Sequence, residues 1–509
     1  MFIKVFSVSV IGMDSYPIAV EVDVSDGLPQ FATVGLPDAS VKESRDRIRA
    51  AIRNSGYPFP RSHVTVNLAP ADLRKEGTGF DLPIALGILA AEEVVDPRTL
   101  DGCSFVGELS LDGGIKGVRG ALPAAFKARE QGIRSFFVPG DNAAEAAMVE
   151  GLDVYGVRAL PDVVEFLAGR QTLAPVRLDM DVLLNKSRFC EMDLSDVQGQ
   201  RQALRALEIA AAGNHNLLMI GPPGSGKSML ARRLPTILPD LSFAEAIEVT
   251  KVFSVAGLLD ADATLIAARP FRAPHHTISD VGLVGGGQMP HPGEISLAHL
   301  GVLFLDELPE FRRNALEALR QPLEEGTITV TRSAVTADFP AKFMLVAAMN
   351  PCPCGYFGDR RRSCRCSPQQ IRQYQAKISG PLLDRIDLHI EVPSVKYRAL
   401  ADSRTGESSA AVKKRVSEAR AVQKKRFGNA AVTTNARMTE QQIRAFCAID
   451  EASHQLMEMA IEKLGLSARA MNRILKVSRT IADLDGREKI DSAHVAEAIS
   501  YRSLDRSLV

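Results

Sequence analysis

A glycine-rich loop set between an apolar run and a helical run limits the folds open to this sequence. The run NLLMI precedes the loop, MLARRLPTI follows it, and the loop itself reads Gly221, Pro222, Pro223, Gly224, Ser225, Gly226, Lys227 and Ser228. This is the complete GxxxxGK-Ser/Thr pattern in its strand–loop–helix setting. Backbone amides of such a loop surround phosphate oxygens at the start of a helix. The pattern predicts an α/β fold with a nucleoside triphosphate site, in which Lys227 reaches the β- and γ-phosphates and Ser228 ligates Mg²⁺.

Two further apolar runs end in polar residues that complete such a site. The run VLFL ends at Asp306 and Glu307, and the run FMLVAAM ends at Asn350. We expect Asp306 to hold the Mg²⁺ shell and Glu307 to polarise the water that attacks the γ-phosphate. Asn350 either orients that water or only begins a turn before Pro351.

The composition is that of an ordinary globular protein without a bulk charge preference. Of the 509 residues, 46% are hydrophobic and 24% are charged, and Lys plus Arg equal Asp plus Glu at 61 each. These proportions exclude a largely disordered or fibrous chain, and any contact with nucleic acid must be local. The sequence has neither an apolar run of the roughly 18 residues that span a bilayer nor the pattern of a signal peptide. We therefore expect a cytoplasmic protein without a membrane partner.

Five zones follow one another along the chain. Residues 1–170 alternate β-like and Ala-rich helical runs, which predicts a small α/β domain. A polar linker spans 171–195, a second α/β zone spans 196–393, and 431–509 read as amphipathic helices. The remaining segment, 394–430, holds ten basic residues against three acidic ones. It either tracks a DNA backbone or forms a solvated helix face.

Motifs from end to end resemble one family of ring-forming ATPases. GPPGSGKS, LFLDE, AAMNP, GPLLDRIDLHIEV and LSARAMNRILKVSRTIADL together are similar to the magnesium-chelatase-like branch of AAA+ ATPases, and within it to the ComM/YifB group. The resemblance covers essentially the whole chain. It implies a P-loop AAA+ module flanked by an N-terminal Lon-protease-like α/β domain and a C-terminal all-helical lid.

The same resemblance assigns two arginines to hydrolysis. Arg385 in LLDRID matches the arginine finger that acts on a neighbouring subunit's nucleotide, and Arg469 in SARAMNR matches the second sensor of the lid. Cations there meet the charge that spreads over the γ-phosphate oxygens. The alternative for either arginine is a structural ion pair. A finger that acts in trans requires a ring, and the family implies a homo-hexamer.

The first domain resembles a Lon-type peptidase that has lost its nucleophile. Lys116 matches the family's lysine base, but the serine position falls on Gly79, with Thr78 beside it. A Ser–Lys pair without its serine cannot form an acyl-enzyme. We expect a proteolytically inactive domain that organises the ring or guides a substrate.

Two insertions that flank Asp306 resemble those that project into the central pore of this branch. The first contains a glycine triplet, and the second has two β-rich runs around a polar tip, a hairpin signature. Basic and small residues there suit a phosphate backbone better than an unfolded polypeptide. Loop packing for the histidines and a solvated hairpin tip for the arginine are the alternatives. The candidate DNA contacts are Arg272, His275, His276 and Arg332.

Four cysteines crowd into a short segment after Asn350. Cys352, Cys354, Cys364 and Cys366 form a CxC-x9-CxC pattern. In a reducing compartment, close thiol pairs suit tetrahedral Zn²⁺ better than disulfides, with free thiols and redox chemistry as alternatives. The intervening arginines, which are Arg360, Arg361 and Arg362, form a candidate DNA-facing patch. We expect this cluster to lie far from the phosphate loop.

The function that the sequence favours is an ATP-driven ring motor on single-stranded or branched DNA. The family implies helicase and branch-migration activity in DNA uptake and homologous recombination, as in natural transformation. One alternative is a chelatase-type motor subunit that drives metal insertion into a tetrapyrrole. Another is an ATPase that remodels proteins.

Overall fold

The fold is built from two α/β units and a helical C-terminal region. The computed structural model describes residues 1–73, 75, 77–180, 183, 192–259, 264–287, 290–332, 335–359, 362–394, 406–428 and 432–502, except the side chains of residues 39, 40, 42, 332 and 335. Within these ranges, no helix combines the length and apolar character that crossing a bilayer requires.

The first unit is a seven-stranded mixed sheet with helices. Its strands run in the order β3-β4-β2-β1-β5-β8-β9, where the bounds are β1 Phe2–Ile11, β2 Asp14–Ser25, β3 Gln30–Val34, β4 His63–Ala69, β5 Cys103–Phe105, β8 Ser135–Pro139 and β9 Asp153–Val157. A separate small hairpin pairs β6 Glu108–Leu109 with β7 Ile115–Lys116. The helices are α1 Ala39–Asn54, α2 Asp81–Ala91, α3 Ala121–Glu130, α4 Gly140–Ala146 and α5 Leu160–Leu167. The apolar α2 is almost entirely buried in the core of this unit.

The second unit is a five-stranded sheet in the order β11-β14-β17-β10-β18, and all its described pairings are parallel. Its strands are β10 Leu217–Ile220, β11 Phe271–Arg272, β14 Val302–Leu305, β17 Met344–Met349 and β18 Leu388–Glu391. The three central strands are buried at every position, as the apolar runs predict for a sheet covered on both faces. The helices of this unit are α6 Arg201–Gly213, α7 Lys227–Arg233, α8 Phe243–Ala256, α9 Asp280–Val284, α10 Glu294–Leu297, α11 Arg313–Ala318, α12 Arg320–Glu325, α13 Pro368–Gln375 and α14 Gly380–Leu383.

Two small antiparallel pairs form separate sheets beside the five-stranded one. One joins β12 Gly285–Gly286 to β13 His291–Pro292, and the other joins β15 Thr327–Arg332 to β16 Val335–Pro340. The hairpin that the sequence predicted around Arg332 is therefore present. Its inward residues Ile328 and Phe339 are buried, so the hairpin base is fixed to the core.

The described residues of the C-terminal region form helices joined by short connections, with no strand among them. Its helices are α15 Ser409–Phe427, α16 Glu440–Phe446, α17 Glu451–Leu464, α18 Ala468–Leu484 and α19 Ser492–Ser500. The apolar stripe of α18 packs into one continuous core with α6 and the central sheet. The predicted fold class, mixed α/β units followed by a helical lid, is confirmed.

The first unit packs directly on the second. Residues from both units share one apolar cluster, which includes Leu122 on α3 and Val249 on α8. The amide of Gly120 donates to the carbonyl of Ser254 at 3.0 Å, and the Lys251 ammonium lies 3.7 Å from the centre of the Phe126 ring. The two units therefore have a built interface.

Candidate functional site

Three adjacent strands of the second sheet end at one edge, and each is followed by a polar segment. The phosphate loop follows β10, Asp306 follows β14 and Asn350 follows β17. Because parallel strands have their carboxyl ends at the same edge of the sheet, these three segments lie close together. They line one cavity of about 380 Å³, together with Lys227 and Glu307. The sequence-predicted nucleotide residues are thus brought together.

The phosphate loop has the backbone that its glycines permit. Gly224 has φ +74° and Gly226 has φ +92°, in the left-handed region that glycine adopts at little cost. A Cβ at Gly221 would lie 2.1 Å from the carbonyl oxygen of Val392 on the neighbouring strand segment. The loop therefore depends on glycine both for its turn and for its approach to the sheet.

Lys227 is buried with its ammonium aimed across the loop. Its Nζ donates to the carbonyls of Gly221 at 2.7 Å and Pro222 at 3.0 Å, and lies 3.3 Å from Oδ1 of Asn350. Burial lowers the pKa of Lys227, while the nearby Asp306 carboxylate opposes the shift. A desolvated cation among carbonyl oxygens is well prepared for anionic phosphate.

Ser228 and Asp306 form the oxygen pair expected of a magnesium site. The Ser228 hydroxyl donates to Oδ2 of Asp306 at 2.6 Å, and the other carboxylate oxygen accepts from the amide of Glu307 at 2.9 Å. Hydroxyl and carboxylate oxygens are hard ligands of the kind that Mg²⁺ takes. The two residues fit the ion.

Glu307 is held in an unusual backbone conformation and is paired with the first insertion. Its φ of +54° and ψ of +47° are left-handed, which is uncommon for a residue with a side chain. Nδ1 of His276 lies 3.2 Å from its Oε2. The exposed His275 packs against His276, with ring centres 4.1 Å apart and ring planes tilted by 34°. Sequence reasoning placed His276 only among the DNA candidates and did not find this contact.

A second cavity, of about 530 Å³, adjoins the phosphate loop and was missed from the sequence. Gln200 lines it, and its buried Nε2 donates to the carbonyl of Ser225 at 2.6 Å. The apolar part of its lining comes from Leu194, Val197, Leu204 and Val412. The only available signal was the short VQGQ run before α6, which no general pattern singles out.

Arg385 lies just after α14 and is buried, with 7% of its surface exposed. It donates to the carbonyl of Pro381 at 2.6 Å and pairs with Glu324, which is on α12. Its Nε has no partner among the described atoms. Arg385 does not belong to the described lining of its own chain's nucleotide cavity. Its assignment as a finger stays a prediction.

Arg469 is exposed in the first turn of α18, and it too is absent from the described lining of the nucleotide cavity. Ser467 caps that helix by accepting from the amide of Ala470 at 3.2 Å. The sensor role of Arg469 therefore stays a prediction.

The four cysteines converge in space. Their Sγ atoms all lie within 4.8 Å of one another, and three of the separations are 3.4, 3.7 and 3.6 Å. Backbone hydrogen bonds from Arg365 and Tyr356 lower the pKa of Cys354 to about 6, whereas the pKa values of Cys364 and Cys366 are raised by burial and by the neighbouring thiols. Cys103 and Cys447 are buried elsewhere, and Cys190 lies outside the described residues.

The cysteine cluster adjoins the phosphate loop, so the expectation that it lies far away is wrong. A Cβ built on Gly355 would lie 2.5 Å from Cδ of Pro223 and 3.9 Å from Cγ of Asn350. The reason is topological. Cys352 follows β17 within three residues, and β17 is the hydrogen-bonded neighbour of the strand that precedes the phosphate loop.

The remaining DNA candidates fall into three groups. Arg272 is paired with Glu294 through two hydrogen bonds of 2.6 Å, so its charge is already matched within the chain. Arg362 is exposed and stacks on Tyr356, with its guanidinium 5.1 Å from the ring centre. The backbone of Arg332 is described but its side chain is not, and Arg360 and Arg361 lie outside the described residues.

The basic segment directs much of its charge inward. Lys414, Lys424 and Lys425 are exposed, whereas Lys396, Arg398 and Arg404 lie outside the described residues. Four others contact the core or the lid: Lys413 with Asp240, Arg415 with Glu208, Arg420 with the carbonyl of Ala211, and Arg426 with Asp483. Among the described residues of this segment, the basic side chains of α15 therefore mainly connect the helix to the core and to the lid.

The positions matched to the peptidase residues do not form a nucleophile–base pair. A Cβ at Gly79 would lie 3.2 Å from Cγ1 of Val106. Thr78 donates its hydroxyl to Glu108, and Glu108 pairs across the small hairpin with the exposed Lys116.

Comparisons with known proteins agree with this geometry. Three family models match, namely magnesium chelatase subunit ChlI at residues 193–400, subunit ChlI of Mg-chelatase at 20–142, and the ChlI C-terminal region at 406–502. Competence protein ComM of Haemophilus influenzae is 47% identical over 99% of this chain and 98% of its own length. The uncharacterized protein YifB of Escherichia coli is 47% identical over 98% of this chain and 96% of its own length. The magnesium-chelatase 67 kDa subunit of Chlorobaculum parvum is 29% identical over only 31% of this chain and 23% of its own length.

Proposed function

Because the chain belongs to the ComM/YifB-type group of the magnesium-chelatase-like family, we propose that it is an ATP-hydrolysing ring motor that acts on DNA. The observation that carries the ATPase half is the convergence of Lys227, the Ser228–Asp306 pair, Glu307 and Asn350 on one cavity. The relative named as a competence protein supports a role in competence. Our proposal is that this role is exercised on incoming DNA, in its uptake and homologous recombination. We place this activity in the cytoplasm.

Each residue of the cavity has a distinct role in this proposal. Lys227 binds the β- and γ-phosphates, and it gives up its carbonyl contacts for the stronger charge of phosphate. Ser228 and Asp306 hold Mg²⁺, which supplies positive charge to the phosphate oxygens when it is bound. Glu307 orients and deprotonates the attacking water once it leaves His276, and Asn350 fixes that water.

The second cavity is suited to the nucleobase. It adjoins the loop through Gln200, whose carboxamide touches the carbonyl of Ser225. The apolar side chains in its lining can contact the faces of a base. We assign it to adenine.

The trans-acting part of the proposal rests on Arg385 and the lid. Arg385 is absent from the described lining of its own nucleotide cavity, as we expect of a residue used by a neighbouring subunit. In a homo-hexameric ring it leaves Glu324 and meets the γ-phosphate charge of the next subunit. Arg469, in the first turn of the lid helix α18, serves as the second sensor of bound nucleotide in this proposal.

The DNA contacts are proposed on the hairpin β15–β16 and on the cysteine loop. Arg332 ends β15 at the hairpin tip, and the exposed His275 and Arg362 add charge-bearing or hydrogen-bonding groups. Phosphate contacts by such residues bind single-stranded or branched DNA without reading sequence. The Lon-like first unit organises the ring through its interface with α8.

We also propose that the four cysteines hold one Zn²⁺. A tetrahedral zinc with Zn–S bonds of about 2.3 Å places its sulfurs about 3.8 Å apart. The Sγ separations of 3.4, 3.7 and 3.6 Å are close to that spacing. The described residues between Met349 and Pro368 form no helix or strand, so thiolate–metal bonds would contribute much of the stability of this loop.

A chelatase-type motor is the second candidate, because the magnesium-chelatase subunit shares part of the sequence. That match covers 31% of the chain, whereas the competence-protein match covers 99%. An ATPase that remodels proteins has no comparable observation behind it.

One experiment separates these functions. ATP hydrolysis is measured alone, with forked or single-stranded DNA, and with a tetrapyrrole chelatase partner, beside strand displacement from a labelled fork. The DNA motor predicts stimulation by DNA, displacement that needs ATP, and loss of both in Glu307→Gln. Hydrolysis that responds only to the chelatase partner would overturn the DNA assignment and leave the ATPase intact.

A further inference from the structure

Asp387 is a buried carboxylate two residues beyond Arg385, and its partners come from both the core and the lid. Only 3% of its surface is exposed. From the core, the amide of Asn216 donates to its Oδ2 at 3.1 Å, and Nδ1 of His215 lies 3.3 Å from the same oxygen. From the lid, Arg473 on α18 donates to its Oδ1.

The charge on this carboxylate is fixed. Burial alone would raise the pKa of Asp387, but the positive charge of Arg473, aided by His215 and Lys476, holds it well below its usual range. A buried charge of this kind demands its partner, because removing one member leaves the other uncompensated. Asp387 and Arg473 therefore behave as one unit across the core–lid boundary.

The backbone that carries Arg385 is tied to the same contacts. Nδ2 of Asn216 donates to the carbonyl of Arg385 at 3.0 Å, and Arg502 at the end of the lid donates to the carbonyl of Ile386 at 2.5 Å. Three consecutive residues, 385–387, are thus held by main-chain or side-chain bonds from outside their own segment. We therefore expect a shift of the lid to change the position of Arg385.

At the other end of this contact, Arg473 lies on the same lid helix as Arg469, the predicted sensor. Arg469 and Arg473 are four residues apart in α18, so they lie on one face of the helix, one turn from each other. The ion pair between Asp387 and Arg473, 86 positions apart in the sequence, therefore links the segment that carries the predicted finger to the helix that carries the predicted sensor.

We propose that Asp387 and Arg473 are positioning residues that set Arg385 for the neighbouring subunit's nucleotide and link its position to the lid of its own subunit. This rests on the proposed function. The inference also names the contact through which nucleotide bound to one subunit would alter ATP hydrolysis in the neighbouring subunit. Neither residue touches ATP; both act through the segment that they hold.

The chain offers a matched control for burial alone. Asp483 is also buried and is also paired with two arginines, Arg426 and Arg479, but those contacts lie within the helical region. A purely structural carboxylate and a positioning carboxylate can therefore be compared in the same protein. Asp387→Asn and Asp483→Asn remove the same charge with little change of shape.

The test measures nucleotide affinity, KM and kcat per folded full-length protein for Asp387→Asn, Arg473→Ala and Asp483→Asn. We expect the first two to lower kcat by about 10²-fold, as misplacement of a reacting group does, with nucleotide Kd nearly unchanged. Asp483→Asn should lower the melting temperature and keep kcat. If Asp387→Asn does not fold, Arg473→Lys gives the same reading, because it keeps the charge and loses the guanidinium fork.

Mixed rings then separate positioning from damage. Asp387→Asn subunits keep an intact phosphate loop, and Lys227→Ala subunits keep an intact Asp387, so the mixture should regain hydrolysis that neither protein has alone. Arg385→Ala mixed with Lys227→Ala is the reference. If the reference mixture recovers and the Asp387→Asn mixture does not, or if Asp387→Asn keeps full kcat, the positioning inference is wrong. If the reference mixture itself fails, the proposed finger is wrong.

Discussion

Gly355 in the cysteine loop packs directly on Pro223 in the phosphate loop. A Cβ at position 355 would lie 2.5 Å from Cδ and 2.7 Å from Cγ of the proline ring. The contact joins the candidate metal centre to the candidate nucleotide site without any intervening side chain. The order of the cysteine loop should therefore influence how the phosphate loop is held.

Gly355→Ala should weaken nucleotide binding, and Gly358→Ala should not. Both glycines have left-handed backbones, with φ of +83° and +78°, so both variants bear a cost of about 1 kcal/mol from that conformation. Only the first also collides with Pro223, since no described atom lies within 4 Å of the corresponding Cβ position at Gly358. Titration with a fluorescent ATP analogue should show about a tenfold weaker Kd, about 1.4 kcal/mol, for Gly355→Ala alone. Equal Kd values in the two variants would argue against the contact.

Replacing one ligand of the cysteine cluster should release the metal and affect both neighbouring sites. We expect one equivalent of zinc per wild-type chain and close to none in Cys364→Ser, with weaker binding of DNA and of nucleotide. Cys103→Ser, which alters a thiol buried in the first unit, should keep its zinc. Elemental analysis and thiol titration decide the matter. Wild-type protein with far less than one equivalent and four freely titrating thiols would exclude the site.

Substitutions of Lys227 and of Glu307 should impair different steps, nucleotide binding in the first case and hydrolysis in the second. Lys227→Ala removes the buried ammonium that faces the phosphates, so nucleotide affinity should fall by at least about tenfold, the loss expected of a charge-assisted contact. Glu307→Gln leaves the Ser228–Asp306 pair intact, so it should bind ATP normally and stop hydrolysis. Binding titrations and single-turnover hydrolysis distinguish the two. The same loss of affinity in both variants would refute this division of roles.

His276 should restrain Glu307 in the absence of DNA. His276→Ala frees the carboxylate from the contact at 3.2 Å, so basal hydrolysis should rise by about twofold to fivefold, the worth of a partly exposed pair. His275→Ala is the control, because that exposed neighbour has no described contact with Glu307. Steady-state hydrolysis without DNA measures the effect. Unchanged or lower basal rates in His276→Ala would show that the contact does not hold the glutamate back.

Arg385→Ala should bind nucleotide with normal affinity and hydrolyse it slowly. Removing a cation that acts only as charge develops costs about 10³-fold or more in rate. Glu324→Gln removes the acidic partner of Arg385 in its own chain and so should not lower the rate. Dilution provides the check. A dispersed, monomeric protein that hydrolyses ATP at the full rate would contradict action in trans.

The sequence predicted the nucleotide residues because their signal is local. The phosphate loop is one contiguous run whose glycines, lysine and serine dictate both its turn and its chemistry. Asp306 and Asn350 were predictable for a related reason, since buried parallel strands place their carboxyl ends at one edge. The cysteine spacing likewise indicated a cluster before its thiols were seen to converge.

The contacts between these parts were decided by the tertiary structure alone. Gly355 meets Pro223, His276 meets Glu307, and Asp387 meets Arg473 across an interval of 86 positions. No spacing rule relates such residues, because which pairs meet depends on strand order and on how the lid packs against the sheet. The inward-facing charges of α15 likewise depend on contacts that the sequence does not show. A run of basic residues in the sequence shows where the charge is, but it does not show which of these residues pair with buried acids. A cation that pairs with a buried acid stabilises the fold, whereas an exposed cation stays available to a ligand.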